Sequence, residues 1–279
     1  MVRDSAIESA PEEAQTQGRE GLASGYTRWA LKIEYDGTGL VGWQKQNNGL
    51  SVQELLEEAA SRLVGDAPVM SATAGRTDAG VHASAMVVQL DLPCHERLDA
   101  RQIRDGISFH LKPHRVAVLE AAAAAEGWHA RFSALSRRYR YTILNRPTRP
   151  VMDADHVWHV RRPLDACAMH EAAQTLLGRH DFSSFRAAAC QANSPIRTLD
   201  RLDVTRSGMH IHIDVEARSF LHHQVRNLAG SLHLVGSGQW PVSKLREVLD
   251  SCDRRKAGPT APSEGLCLVG VGYAQDPFG

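Results

Sequence analysis

No run in this 279-residue chain approaches the roughly 18 consecutive apolar residues that a membrane-crossing helix needs. The first residues also lack the basic start and apolar stretch of a secretory signal. Both absences point away from a membrane, and the cysteine usage fits a reducing cytoplasm. Paired cysteines are missing too. Cys94, Cys167, Cys190, Cys252 and Cys267 are odd in number, far apart and without a C-x-x-C, which argues against a disulfide framework and a zinc ribbon. Nor is there any net charge: 32 basic residues balance 32 acidic ones.

The balance is uneven along the chain. Residues 1–27 hold five acids against two arginines, leaving 30 basic and 27 acidic residues for the rest. Arg131, Arg137, Arg138, Arg140, Arg146 and Arg149 share a window, 128–149, that contains no acid. Such a window is either a solvated arginine-rich strand or a phosphate-binding face.

Residues 1–27 show no apolar periodicity and read as a flexible acidic tail. The folded body begins with "WALKIEYDG", whose alternation is that of a strand covered on one face and closed by an Asp-Gly turn. "SVQELLEEAASRLVG" is a helix: Ser51 and Glu54 form a capping box, Val52, Leu55, Leu56, Ala59 and Leu63 line one face, and Gly65 ends it. Further strands are expected over 83–92, 115–120, 138–144, 200–206, 209–217 and 266–273, with helices over 99–109, 165–177, 220–235 and 243–251. This mixture predicts an α+β fold of two similar halves, 28–130 and 131–279. Their sheets join into one mainly antiparallel sheet with helices on one side and an open cleft on the other.

The stretch "AGRTDAGVH" places Asp78 between Gly75 and Gly80, ahead of an apolar strand able to anchor it. Arg76 is placed to pair with Asp78 or to meet a phosphate. Asp and Gly are common turn residues, so this stretch alone fits an ordinary polar turn as well as an aimed carboxylate. Downstream, Val225 and Leu228 mark a buried helix face, and Arg226 beside it calls for an acidic partner. In "RRYRY", Tyr139 and Tyr141 alternate with Arg138 and Arg140, so a strand presents tyrosines on one face and basic residues on the other. Tyrosines at this spacing serve core packing as readily as base stacking.

"GRTDAGVHA" closely resembles the signature of the tRNA pseudouridine synthase A family. Five further segments agree in order: "IEYDGTGLVGWQKQ" with "SVQELLE", "WHARFSALSRRYRYTILN", "LLGRHDFSSFR", "FLHHQVRNLAGSL" and "AGPTAPSEGLCLVGVGY". The likeness runs from about Thr27 to Tyr273 and implies the pseudouridine synthase fold, tRNA as substrate, a homodimer and no cofactor. Uridines 38, 39 and 40 of the anticodon stem and loop are the implied targets. It further implies that Asp78 is the catalytic carboxylate, nucleophile or base, Arg226 its ion-pair partner, Tyr139 the base-stacking ring and Leu266 an apolar wall of the uracil pocket. Arg76, Arg137 and Arg138 are assigned to RNA phosphates, and Phe185 and Arg186 either to buttressing the pocket or to touching RNA. The chain departs from the family pattern at Gly39-Leu40, Met86, Ser108 and Ser263, none of which removes a proposed catalytic group.

The chemistry asks for little else. Isomerising uridine breaks the C1′–N1 bond, turns the freed base and joins C5 to the same carbon, with no net redox change, so one ionised carboxylate in a closed pocket suffices. Two other readings stand beside this one: a tRNA-binding module or folding chaperone without turnover, and a metal-assisted hydrolase built on some of the 14 histidines. The second lacks an H-E-x-x-H or Cys/His ligand set, and His222 and His223 on a helix would point roughly 100° apart, so no metal is expected.

Overall fold

Strand β1 (Tyr26–Tyr35) begins where the alternation begins, with Leu31, Ile33 and Tyr35 turned into the core. It opens a computed structural model that describes residues 22–94, 98–188 and 190–279. The expected acidic tail lies, up to residue 21, outside the described residues. Helix α1 (Val52–Leu63) forms where its cap predicts: the Ser51 hydroxyl accepts from the Glu54 amide at 3.2 Å, and Val52, Leu55, Leu56, Ala59 and Ala60 are buried. Strands β2 (Ser71–Thr73) and β3 (His82–Pro93) follow as an antiparallel pair. Helix α2 (Ala100–His110) carries a complete capping box from Asp99 and Gln102. It leads into β4 (Val116–Ala123), where the Ser108 hydroxyl accepts from the Val118 amide.

The second half repeats the plan. Its elements are β5 (Ala134–Asn145), β6 (Trp158–Val160), α3 (Ala166–Gln174), β7 (Gly178–Asp181), β8 (Ile196–Ser207), β9 (His210–Ala217), α4 (Gln224–Gly236), α5 (Lys244–Asp250) and β10 (Leu266–Tyr273). The strands form one sheet in the order β4-β1-β3-β10-β5-β9-β8-β7, with β2 on β3 and β6 on β5. Each half contributes the same sequence of neighbours, last strand, first strand, then hairpin: β4-β1-β3-β2 in one and β10-β5-β9-β8 in the other. The halves meet through a short parallel contact, Cys267 on His82 and Leu268 on Ala83, in a sheet otherwise antiparallel apart from β6. The α+β class and the doubled, mainly antiparallel sheet are as expected.

Three differences bear on function. Strands β2, β6 and β7 have three or four residues each, too few to show a period. Helix α4 starts at Gln224 rather than 220, because His223 adopts a left-handed backbone (φ 60°) that a helix cannot continue through. The cleft also does not face away from the helices. Tyr139 and Tyr141 share the inner face of β5, Tyr141 meets Trp158 edge-on at 6.1 Å, and Trp158 lies 4.7 Å from His233 of α4. The Asp78 loop rests on this same helix-bearing face, beside the start of α4.

Candidate active site

Asp78 is held by glycines from two directions. Gly80 takes the left-handed φ of +75° expected of it, whereas Gly75 does not use its freedom. The second special glycine is Gly42, at φ +101°, where a Cβ would approach the Thr77 carbonyl to 2.5 Å. Only glycine lets these two loops come so close. Around them the Trp43 amide donates to the Thr77 carbonyl (3.1 Å), the Val81 amide to the Asp78 carbonyl (3.1 Å), and Thr77 pairs with the buried Tyr35 hydroxyl at 2.8 Å. The loop is a fixed platform.

The carboxylate it carries meets three cationic or potentially cationic groups. Arg226 Nη1 lies 3.3 Å from Oδ2, His223 Nε2 3.4 Å from Oδ2, and His222 Nε2 3.4 Å from Oδ1. All three come from the first turn of α4 and the two residues ahead of it, in the opposite half of the molecule. Arg226 also donates through Nε to the Ala261 carbonyl at 2.8 Å, which fixes the guanidinium beside Asp78. None of the contacts to Asp78 is short, and its side chain keeps 23% of its exposure, so both oxygens remain reachable. Such a carboxylate is placed to attack a carbon or to take a proton.

Tyr139 forms the adjoining wall. It is buried, its ring meets Phe220 edge-on at 5.3 Å, and a Cβ on Gly75 would lie 3.7 Å from its hydroxyl. Burial and the neighbouring Asp78 carboxylate push its phenol well above the ordinary value, so it stays neutral. Leu266 is buried opposite Tyr141, and Leu268 opposite Tyr139, both on this inner face. The sequence therefore names Asp78, Tyr139, Leu266 and Arg226 on four separate segments, and the fold gathers them on one face.

The basic residues divide differently from expectation. Arg137 does not face RNA: it is buried and donates to the carbonyls of Ala74 (2.7 and 3.0 Å), Arg131 (2.7 Å), Ala134 (3.2 Å) and Arg218 (2.7 Å). Its guanidinium ties β5 to the segment leading into the Asp78 loop, a structural use of a planar donor fork. Arg138 is exposed but projects from the outer face of β5, away from Asp78, because successive strand residues alternate. Arg76 and Arg131 are exposed as residues, and the Arg131 guanidinium is made less basic first by partial burial and second by the nearby Arg76. Phe185 is fully buried, its carbonyl accepting from Asn227 on α4, and Arg186 donates to the carbonyls of Cys190 and Ala192.

Sequence reasoning missed His222, His223 and Phe220 as neighbours of the site. The first two were placed inside a helix, where adjacent side chains diverge, whereas the left-handed His223 lets both rings reach one carboxylate with centroids 4.0 Å apart. Their place three and four residues ahead of Arg226 was the available signal. Asp78, His222 and His223 offer ligand atoms within 4.8 Å of one another, as do Asp36, His82 and His156. A cation at either set would share its carboxylate with a guanidinium, from Arg226 or Arg115, which opposes metal binding.

A sequence model of the family described as tRNA pseudouridine synthase matches residues 172–274. That segment runs from within α3 through β10 and includes Arg226 and Leu266 but not Asp78, and the mixed α+β sheet is that of a pseudouridine synthase. The match extends well beyond it. Proteins named tRNA pseudouridine synthase A share 61% identity over 271 residues in Gluconobacter oxydans (95% of this chain, 98% of the relative) and 63% over 252 in Acidiphilium cryptum (90% and 98%). One from Rhodospirillum rubrum shares 54% over 246 residues (88% and 87%). The chain belongs to the tRNA pseudouridine synthase A family.

Proposed function

We propose that this protein converts uridine to pseudouridine in tRNA, at positions 38, 39 and 40 of the anticodon stem and loop, as a cytoplasmic homodimer needing no cofactor. Among the described residues no helix is long and apolar enough to cross a membrane. The observation that carries the reading is the open carboxylate of Asp78, braced by Arg226 and set beside Tyr139.

A uridine inside a stem must leave its stack before the carboxylate can reach its sugar, and stacking on the Tyr139 ring is worth about 1–3 kcal/mol per base. Asp78 then attacks C1′ or removes a proton from the sugar; both need the same oxygen in nearly the same place. The C1′–N1 electron pair leaves with the base, the uracil turns, and C5 bonds to C1′ as the Asp78–C1′ bond breaks and its pair returns to the carboxylate, or as the abstracted proton returns to the sugar. Leu266 and Tyr139 keep the free base from escaping. Arg226 offsets the carboxylate charge that burial under a bound nucleoside would penalise. Arg76 and Arg131, which repel each other, would be relieved by an RNA phosphate, a contact that positions the substrate without reading its sequence. A folded tRNA is large beside one subunit, and the proposed dimer lets one copy grip its body while the other presents Asp78.

tRNA from cells lacking this protein, mapped with a pseudouridine-specific carbodiimide label, should regain the modification with wild type and not with Asp78→Asn. Equal rescue by both would remove the catalytic assignment. Normal tRNA binding by wild type with no product in a single turnover would favour the non-catalytic binding module instead.

A further inference from the structure

We propose that His223 is the base that removes the hydrogen from C5 of the turned uracil, an assignment that rests on the isomerase reading above. Joining C5 to C1′ leaves C5 bonded to both the sugar and its original hydrogen, with a double bond between N1 and C6. Pseudouridine forms only when that hydrogen leaves as a proton. The C5–H electron pair becomes the C5=C6 bond, the N1=C6 pair moves onto N1, and N1 takes up a proton. His223 Nε2 accepts the first proton and the imidazolium returns one to N1, directly or through water, so charge and atoms balance. The hydrogen lies between a carbonyl and an imine, and its loss restores conjugation in the ring, so a weak base suffices.

The site holds few groups able to do this. Asp78, released when C5 bonds to C1′, stays aimed at the sugar and beside Arg226, which itself has no free lone pair, and Tyr139 is held as the neutral phenol by burial and by Asp78. His222 is the more exposed of the two imidazoles, 41% against 28% for His223. Burial, opposed by Asp78 but aided by His222, Arg226 and Arg254, keeps His223 below the ordinary imidazole value, so it is neutral near pH 7 with a lone pair to offer.

The backbone supports the assignment independently. His223 occupies the N-cap of α4, a position that favours Ser, Thr, Asp or Asn, yet its side chain caps nothing and turns to Asp78. It does so at φ 60°, a left-handed conformation that is strained for a residue with a Cβ. The strain is locked in: the Leu221 amide donates to Gln224 Oε1 at 2.8 Å, the Gln224 amide to the Leu221 carbonyl at 3.0 Å, and the Asn227 amide to the His223 carbonyl at 2.9 Å. Strain held against a better-suited residue marks a side chain kept for function.

The test uses tRNA transcripts carrying protium or deuterium at uridine C5, with enzyme in excess and pseudouridine as the readout. His223→Gly suits the backbone and opens an imidazole-sized space; His223→Asn tolerates the same backbone and leaves no such space. Both should slow product formation about 10²-fold or more and show a C5 isotope effect larger than that of wild type. Added imidazole should restore the glycine variant alone. An isotope effect no larger than wild type in both variants, or total loss in both with no response to imidazole, would overturn the assignment. Absence of pseudouridine with the wild-type protein would instead overturn the isomerase reading on which it rests.

Discussion

Asp36 and Asp78 each stand among two imidazoles and one guanidinium, yet their contacts differ in length and number. Asp36 accepts from Arg115 Nη1 at 2.7 Å and from the Thr38 hydroxyl and amide at 2.6 and 2.9 Å, with His82 at 3.2 Å and His156 at 3.6 Å. Its side chain is 12% exposed. Burial works against its charge, but the Thr38 and Arg115 donors outweigh it and hold the carboxyl well below the usual carboxylate range. Around Asp78 the corresponding contacts are 3.3, 3.4 and 3.4 Å. A carboxylate whose lone pairs are consumed by short donors organises the backbone, whereas one neutralised at longer range keeps its oxygens for a substrate. The two are linked, since the Gly37 amide donates to His82 Nδ1 at 3.0 Å, tying the Asp36 turn to the residue that follows the Asp78 loop.

Exchanging each acid for its amide separates the roles. Asp78→Asn should lower single-turnover pseudouridine formation by about 10⁴-fold or more while leaving the melting temperature near wild type. A melting temperature that falls along with activity would mean that Asp78 is a second structural acid. Arg226→Lys keeps the charge but cannot both donate to the Ala261 carbonyl and face Asp78, and should lower the single-turnover rate about 10²-fold. Activity close to wild type in that variant would show that charge alone, not the guanidinium fork, serves the carboxylate.

How far the sequence carries this comparison depends on the distance over which each signal acts. Helix α1 and strand β3 are legible because capping and alternation are local, and Asp78, Arg226, Tyr139 and Leu266 are legible through family motifs. Arg137 and Arg138 are adjacent in sequence and identical in type, so nothing local says that the first turns inward onto five carbonyl contacts while the second faces out. The nearness of His222 and His223 to Asp78 depends on one backbone angle at His223, where a histidine fills a position usually left to smaller polar residues. The Asp36 cluster joins residues 36, 82, 115 and 156 and leaves no pattern in the chain.

The Asp36 side of the comparison is best tested through acid. A group whose folded-state pKa is depressed adds stability above its unfolded value, and that stability is lost as pH falls toward the folded one. His82, His129, His212, His223 and His233 are all lowered, chiefly by burial, so stability should begin to decline below about pH 6.5. A second, steeper fall should start below about pH 4, where an unfolded chain takes up a proton that folded Asp36 still refuses. Asp36→Asn should cost about 2 kcal/mol at neutral pH and flatten chiefly this lower limb in urea melts. An unchanged lower limb would assign the acid sensitivity to other carboxylates.

Asp214 asks whether close pairing by itself marks a structural acid. It is 13% exposed and bound by Arg140 at 2.7 and 3.1 Å, much as Asp36 is bound by Arg115, but across the outer face of β5 and β9. Arg140 remains 48% exposed, so solvent and salt screen the pair, and unlike Asp36 it fixes no turn behind the Asp78 loop. Removing both partners together, Arg140→Ala with Asp214→Ala, should therefore change stability by no more than about 1 kcal/mol and leave the pseudouridine rate unchanged. If instead tRNA binding weakens and loses part of its salt dependence, this outer face contacts phosphate, and the arginine window 128–149 serves RNA on the side of the sheet opposite Asp78.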